Sequence, residues 1–472
     1  MADQKKYVNI LSKKAISDNV EPQQIIASLN IVPNKEGQTI KASGIVAGYS
    51  PINVAGVNAS VDENIQPENI KEGVNILGVE GTAECPEYYR SFQVANNKLT
   101  SNKRINKIIK LDGVKDLDNY VLAYAYRDND VLSGKIDISQ IENMSGAYCC
   151  TGCFMDCDII TEIDLSSLST ISGNGACGAM FYDAINLKKV NLGSLTTISG
   201  EECCTSMFRN CHSLEDVDLS SLTTISSTAS CYYMFFGCRS LKEIDLSSLS
   251  TIEGYCGSMF SVCSGLKTVD LSSLTSITNS CGSMFEWCSS LTNVDLSSLT
   301  TINGNSVCSG MFQHCTGLES IDLSSLTTIN GNTACGAMFL SCDNLKTIDL
   351  SGLTTVNGNG ALRNMFQSCT SLTSIVFNSL SSITQSLSSI AYATLDSAFN
   401  GCTSLTTLSF PALKSNSFGS YTNQFNNMLI GVTGCTVHFP SNLQSVIGSW
   451  TSVTNGFGGT NTTVLFDLPA TE

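Results

Sequence analysis

The chain has 472 residues, more than one compact core usually organises, so several domains or an extended repeat is expected. Lys plus Arg number 25 against 41 Asp plus Glu, a net charge of −16, which repels phosphate and argues against nucleic acid as a partner. No apolar run approaches the roughly 18 residues of a membrane-spanning helix, so membrane insertion is not expected. The opening ten residues lack the apolar core of a secretory signal, and the chain as written is expected to be made and folded in a cytoplasm.

In chain order, residues 1–84 read as a small β-rich module, with Gly44, Gly48, Gly56, Gly73, Gly78 and Gly81 punctuating β-branched runs such as Val74-Asn75-Ile76. Residues 85–136 are expected to form the amino-terminal cap of a solenoid that begins at residue 137. Stretches 88–94 and 120–126 look strand-like, and Lys103, Arg104, Lys107 and Lys110 interleave with Ile105, Ile108 and Ile109 as a solvated strand face would. All eight prolines lie outside 87–410, so nothing in the middle of the chain is broken by proline.

That middle is a repeat. The phrase Ile-Asp-Leu-Ser-Ser-Leu recurs with its acidic position at Asp137, Asp164, Asn191, Asp218, Asp245, Asp270, Asp295, Asp322 and Asp349, and degenerates at Val376, Ser409 and His438. The spacing is 27 residues, shortens to 25 twice, and lengthens to 33 and 29 at the end. A leucine-bearing period in the twenties predicts a leucine-rich solenoid over 137–443, with 444–472 as a carboxy-terminal cap carrying Trp450 and the strand-like Thr463-Val464-Leu465-Phe466.

Within one unit, Ile163 and Leu165 alternate with Glu162, Asp164 and Ser166, which predicts a strand with its aliphatics inward. Leu168 and Ile171 close the core, and a Gly/Asn turn follows. Next comes Cys-x-x-Met-Phe-x-x-Cys, as in Cys204, Met207, Phe208 and Cys211, whose spacing fits one face of a two-turn helix. The fold class expected is therefore an α/β solenoid of about 10–12 units, each a strand, a turn and a short helix. Helices spaced about 8–10 Å apart against strands about 4.8 Å apart would curve the stack and make the strand face concave.

Seventeen of the 22 cysteines occupy two repeat columns: Cys150, Cys177, Cys204, Cys231, Cys256, Cys281, Cys308 and Cys335, then Cys157, Cys211, Cys238, Cys263, Cys288, Cys315, Cys342, Cys369 and Cys402. On helices they stand too far apart to bridge, so buried free thiols are expected; on an extended outer face, bridges between neighbouring repeats become possible. The group Cys149, Cys150, Cys153 and Cys157 is accounted for by the same columns, with Cys153 in the Met position, so no metal is expected. Gly173-x-Gly175-x-x-Gly178 lies in a repeat turn and does not suggest a dinucleotide loop. His212, His314 and His438 fall in three different repeats, and no catalytic constellation is visible, so a non-enzymatic protein without cofactors is expected.

Two outward rows follow from the strand pattern. The acidic ladder (Asp137, Asp164, Asp218, Asp245, Asp270, Asp295, Asp322, Asp349) is nearly constant, and serines two residues on are expected to donate to it. Cations or a basic receptor are the alternative occupants. The column two residues earlier varies (Glu162, Lys189, Asp216, Glu243, Thr268, Asn293, Ser320, Thr347), as a selective binding surface would. Past the phenylalanine, Tyr182, Phe236, Trp287 and His314 are outer candidates for anchoring a partner or for packing between repeats.

The unit Met-Phe-x-x-Cys-x-x-Leu-x-x-Ile-Asp-Leu-Ser-Ser-Leu, seen from Met284 to Leu299, resembles the BspA-like leucine-rich repeats of bacterial surface proteins over about residues 137–443. That resemblance implies adhesion to host or bacterial surfaces, by proteins that are typically exported. The phrase Pro67-Glu68-Asn69-Ile70-Lys71-Glu72-Gly73-Val74-Asn75-Ile76-Leu77-Gly78-Val79-Glu80-Gly81-Thr82 resembles modules of bacteriophage and prophage tail and fibre proteins. Together they imply a virion-associated tail protein, attached to other tail proteins through its amino terminus and contacting a host cell-surface protein or glycan through the solenoid, released by lysis without an export signal. A bacterial cell-surface or secreted adhesin is the alternative, and an intracellular interaction scaffold a third. A homo-oligomer is compatible with each, although no coiled-coil heptads enforce one.

Overall fold

The computed structural model describes residues 115–471, apart from short stretches within 118–132, 227–230, 385–391 and 417–423, together with four short strands nearer the amino terminus. Those strands pair antiparallel, Gln38–Ile40 with Ile52–Val54 and Asn75–Ile76 with Val79–Glu80. Apart from the second pair, the tail-like phrase 67–82 lies outside the described residues, as do 88–94 and the basic stretch 103–110.

From residue 115 onward the chain winds into a parallel β-solenoid of about 12 coils. Each coil contributes two short strands and a third, turn-rich side. The first strands, such as Asp216–Asp218, carry the Ile-Asp-Leu phrase and form parallel groups of four, three, two and four. The second strands, from Asn143–Met144 to Ser382–Thr384, form one parallel ten-stranded sheet in chain order. Equivalent residues pair in register, Ile198 with Ile225 and Asp245 with Asp270, so one coil's pattern becomes a row running along the molecule. Alternation buries Ile163 and Leu165 while Glu162 and Asp164 stay half-buried, and the Leu168 and Ile171 columns complete a single core running from Leu117 to Phe457.

The third side corrects the expected helix. Along Cys177 to Ala184, backbone N–H groups alternate between two kinds of acceptor. Those of Cys177, Ala179, Phe181 and Asp183 donate to Cys203, Thr205, Met207 and Arg209 of the next coil at 2.7–2.9 Å. Those of Gly178, Met180, Tyr182 and Ala184 donate three residues back at 3.1–3.2 Å. Every fourth residue is left-handed: Gly175 (φ 60°), Ala179 (φ 50°) and Asp183 (φ 56°). This is a ribbon of linked turns, flat enough to stack. A helix about 10–12 Å wide cannot advance by one strand spacing per coil.

The core rings confirm that spacing. Tyr126, Phe154, Phe181, Phe208, Phe235, Phe260, Phe285, Phe312, Phe339, Phe366 and Phe399 stack face to face with centroids 5.1–5.7 Å apart. The third side therefore rises with the strands, and the mismatch that would curve the stack into a horseshoe is absent. Tyr126 and its described neighbours, Leu122, Ala123 and Tyr124, lie in this ribbon and not in a strand, adding a coil before residue 137.

The 21 described cysteines are free and buried, without the helical separation that the sequence suggested. In the second column the thiol is a donor: Cys211, Cys238, Cys263, Cys288, Cys315, Cys342 and Cys369 bond the phenylalanine carbonyl of the preceding coil at 3.1–3.2 Å. Burial pushes the Cys263, Cys308 and Cys315 thiols up to about 12, which keeps them protonated and unreactive. In the first column, Cys231 and Cys281 can donate to Cys256, which favours ionisation of that central thiol and opposes it at its neighbours; burial opposes it at all three.

At the far end the short helices Gln444–Ile447 and Thr451–Thr454 lie beside the last coil, and Thr463–Leu468 adds a final parallel strand to Thr436–Pro440. Trp450 is partly buried there, edge-on to Phe418 at 5.0 Å. Among the described residues no helix is long and apolar enough to cross a membrane.

Candidate recognition surface

Both strand rows read from the sequence lie on the face of the first strands. Glu162, Lys189 and Asp216 align in register, as do Glu243, Thr268 and Asn293, and then Ser320 and Thr347; all eight are exposed or half-buried. The amino-terminal part of the row neutralises itself. Lys135 Nζ lies 3.1 Å from Glu162 and 3.0 Å from Asp164, and Lys189 Nζ 3.1 Å from Asp216. Bonds from Asp164 and Glu162 raise the Lys135 pKa, and Asp216 does the same for Lys189. These pairs are solvent-screened and add little stability. From Thr268 to Thr347 the row is uncharged.

The acidic ladder sits at a corner of each coil. The carboxylates of Asp137, Asp164, Asp218, Asp245, Asp270, Asp295, Asp322 and Asp349 each accept the backbone N–H of the serine two residues on, at 2.8–3.1 Å. The hydroxyls of Ser139, Ser220 and Ser297 add 2.7 Å bonds to the same oxygen. Donation from serine is thus chiefly by the main chain, in an Asx turn that ends the strand. Asn191 accepts from Gly193 N–H at 3.2 Å in the same way without a charge. At Asp164 partial burial works to raise the carboxyl pKa, but bonds from Lys135 and Ser166 outweigh it and leave it below the usual range. At Asp322 the bonds from Ser324 have the same effect.

A more exposed variable column lies just beside the one singled out: Lys188, Glu215, Lys242, Lys267, Thr292, Glu319 and Lys346. Its variation from unit to unit was the available signal. Lys346 Nζ meets Glu319 at 2.8 Å.

The outer aromatics fall on the turn side. Trp287 is 50% exposed and stacks on His314, one coil on, at 3.8 Å between centroids. Tyr182 and Phe236 are half-buried around Arg209, whose guanidinium lies 5.8 and 4.9 Å from their rings and 4.8 Å from Tyr233. Neither Arg209 nor the pair Tyr232–Tyr233 stood out in the sequence, although the tyrosines stand where neighbouring coils have small residues and Arg209 is basic where Tyr182, Phe236, Ser261, Glu286 and Gln313 are not. A shallow depression of about 230 Å³ opens on this side, with Tyr148, Thr151, Glu202, Thr205 and Ser206 in its lining. The Tyr148 ring lies so close over Gly175 that a Cβ there would clash with it, which, with the positive φ, explains that glycine. The histidines stay apart: His212 Nδ1 is 2.9 Å from the Gly237 carbonyl, and His438 Nδ1 is 3.0 Å from Asp467.

The BspA type leucine rich repeat region matches residues 135–232, 205–333 and 283–394, more than half of the chain. The chain belongs to the BspA-type leucine-rich repeat family. Similar solved structures include a leucine-rich repeat protein from Bacteroides ovatus, 20% identical over 78% of this chain and 100% of that one, with a TM-score of 0.31. A leucine-rich cell surface protein from Faecalibacterium prausnitzii is 18% identical over 74% of this chain and 83% of that one, with a TM-score of 0.28. A leucine-rich repeat protein of T. pallidum is 16% identical over 58% and 91%, with a TM-score of 0.25. No curated protein matches the chain.

Proposed function

We propose that this BspA-type protein is a non-enzymatic adhesion protein that docks on a cell surface through the first-strand face of its solenoid. The observation that carries this reading is the row from Glu162 to Thr347: on strands whose inward positions are fixed by the core, it is in register, outward, and different from coil to coil. A solenoid offers such a row as an extended, preformed contact surface. The acidic ladder beside it acts first as a corner device, so selectivity rests on the variable columns.

Two settings are supported by different observations. Family membership favours display on a bacterial surface. The phrase at 67–82, with its resemblance to tail and fibre modules, favours attachment to a virion that carries the solenoid to a host cell. Binding of the labelled full chain to candidate cells tests the shared core of both. Charge reversal at Lys189 and replacement of Asn293 and Thr347 by Lys are expected to weaken binding at unchanged melting temperature; full binding by that variant refutes the strand-row assignment. Fractionation of the producing culture into virions, envelopes and cytosol separates the settings.

A further inference from the structure

We propose that the turn side carries a binding site for a carboxylate-bearing saccharide, in which Arg209 meets the carboxylate and Tyr182, Tyr232 and Tyr233 supply rings for the sugar to lie against. This goes beyond the strand-row reading and uses a different side of the stack, so either can fail alone.

The solenoid's own repetition shows that the tyrosine pair is not required by the fold. Where one coil has Tyr232, its neighbours have Thr205 and Gly257; where it has Tyr233, they have Ser206 and Ser258. Small residues serve coil stacking at both positions. Tyr233 takes the left-handed conformation (φ 57°) that this ribbon position has in the neighbouring coils, at Ser206 (φ 57°) and Ser258 (φ 53°), where small residues adopt it at less cost than a bulky side chain.

The rings are held in place before any ligand arrives. Tyr232 lies over Gly257, where an added Cβ would come within 2.9 Å of it, yet remains 42% exposed. Its hydroxyl donates to that of Tyr233 at 3.1 Å, and Tyr233 meets Phe236 edge-on at 5.2 Å. Little side-chain freedom is left to lose on binding.

Arg209 is the charge in the midst of these rings. Its Nε is buried without a hydrogen-bond partner, and among the described residues no carboxylate lies within ion-pairing distance of it. Among the described residues Lys188, Arg239, Lys242 and Lys267 also lack a carboxylate within 4.0 Å but are exposed, whereas Arg127, Lys135, Lys189, Lys346 and Arg363 have one, so Arg209 is distinguished by being half-buried. A guanidinium left without a counter-charge above π faces fits a planar anion gripped by its terminal Nη groups, since the buried Nε is out of a ligand's reach.

The remainder of the site favours a sugar over an acidic peptide. Backbone groups here are already used between coils, as in Ser206 N–H to Tyr232 O at 2.9 Å and Phe235 N–H to Met259 O at 2.8 Å, so among the described residues here no strand edge is open for a peptide to extend. The 42% exposed ring of Tyr232 offers an aromatic face of the kind against which a pyranose ring can lay its C–H groups.

The test is calorimetric and NMR titration of the full chain with tetragalacturonate and with sialyllactose, beside methyl-esterified tetragalacturonate as a neutral twin and an oligoglutamate peptide. At least one acidic saccharide is expected to bind with Kd below about 1 mM. Esterification, added salt, Arg209→Gln and the double change Tyr232→Gly with Tyr233→Ser are each expected to weaken it, the substitutions at least tenfold. The double variant returns both positions to residues that other coils already use, so its melting temperature should hold even if Arg209→Gln disturbs the local packing. The proposal is overturned if neither saccharide binds, if the methyl ester binds equally well, or if the folded double variant binds like the parent. Tighter binding of oligoglutamate than of both saccharides would also overturn it, in favour of a protein partner.

Discussion

Asp295 offers a direct measure of what the acidic ladder does. Its Oδ1 accepts Ser297 N–H at 3.0 Å and Ser297 Oγ–H at 2.7 Å, and it pairs in register with Asp270. Two carboxylates one strand spacing apart, about 5 Å, repel by roughly 0.8 kcal/mol in water before screening. Asp295→Asn keeps the acceptor and removes the charge, an exchange that Asn191 already makes in this chain. With a neighbour on either side, it is expected to relieve about 1–1.5 kcal/mol at low salt and about half of that at physiological ionic strength. The weaker neutral hydrogen bonds offset part of this gain. Asp295→Ala gives the same relief but loses the corner bonds, and should lie about 1–2 kcal/mol below the Asn variant at every salt concentration. Urea denaturation of the parent and both variants across a salt series measures both differences. If Asn proves as damaging as Ala, or if calcium stabilises the parent but not the Asn variant, the ladder is a charge-dependent site and the corner assignment fails.

Phe285→Ala removes a ring stacked at 5.5 Å on both Phe260 and Phe312, and should cost about 3–5 kcal/mol in denaturant midpoints; a loss below about 1 kcal/mol would mean that the coils can close the gap. Cys288→Ala removes one of two donors to the Phe260 carbonyl, which keeps Cys263 N–H at 3.2 Å, and should cost about 0.5–1.5 kcal/mol, with Cys288→Ser less harmful because a donor remains; equal losses would show that the thiol acts only through its volume. Asp164 and Asp322 have lowered folded pKa values, so their contribution is complete above the unfolded carboxylate range, near pH 4, and is lost as pH falls through the folded values. Thermal melts should therefore decline below about pH 4, and Asp322→Asn should make that decline shallower; an unchanged slope counts against this linkage.

The first-strand face was legible because its period of two is imposed residue by residue: Ile163 and Leu165 inward, Glu162 and Asp164 outward, repeated at nearly constant spacing. The second strand, Thr-Ile in most coils, is too short to announce itself, and only pairing with nine like strands makes it a sheet. The outward variable row followed from the same alternation, whereas Arg209 with Tyr232 and Tyr233 required two neighbouring coils to be superposed in space before it became a group.

The repeat, its core residues and the rows that face solvent depend on residue identity and period alone, and could be read from the chain before any coordinates. The third side depends on how the coils stack. Buried Cys, Met, Phe and Cys at intervals of three, one and three satisfy a helix face and a four-residue turn ribbon equally well, and local spacing cannot separate them. Stacking can: each coil must rise by one strand spacing on all of its sides, a helix is too wide for that rise, and the ribbon is not.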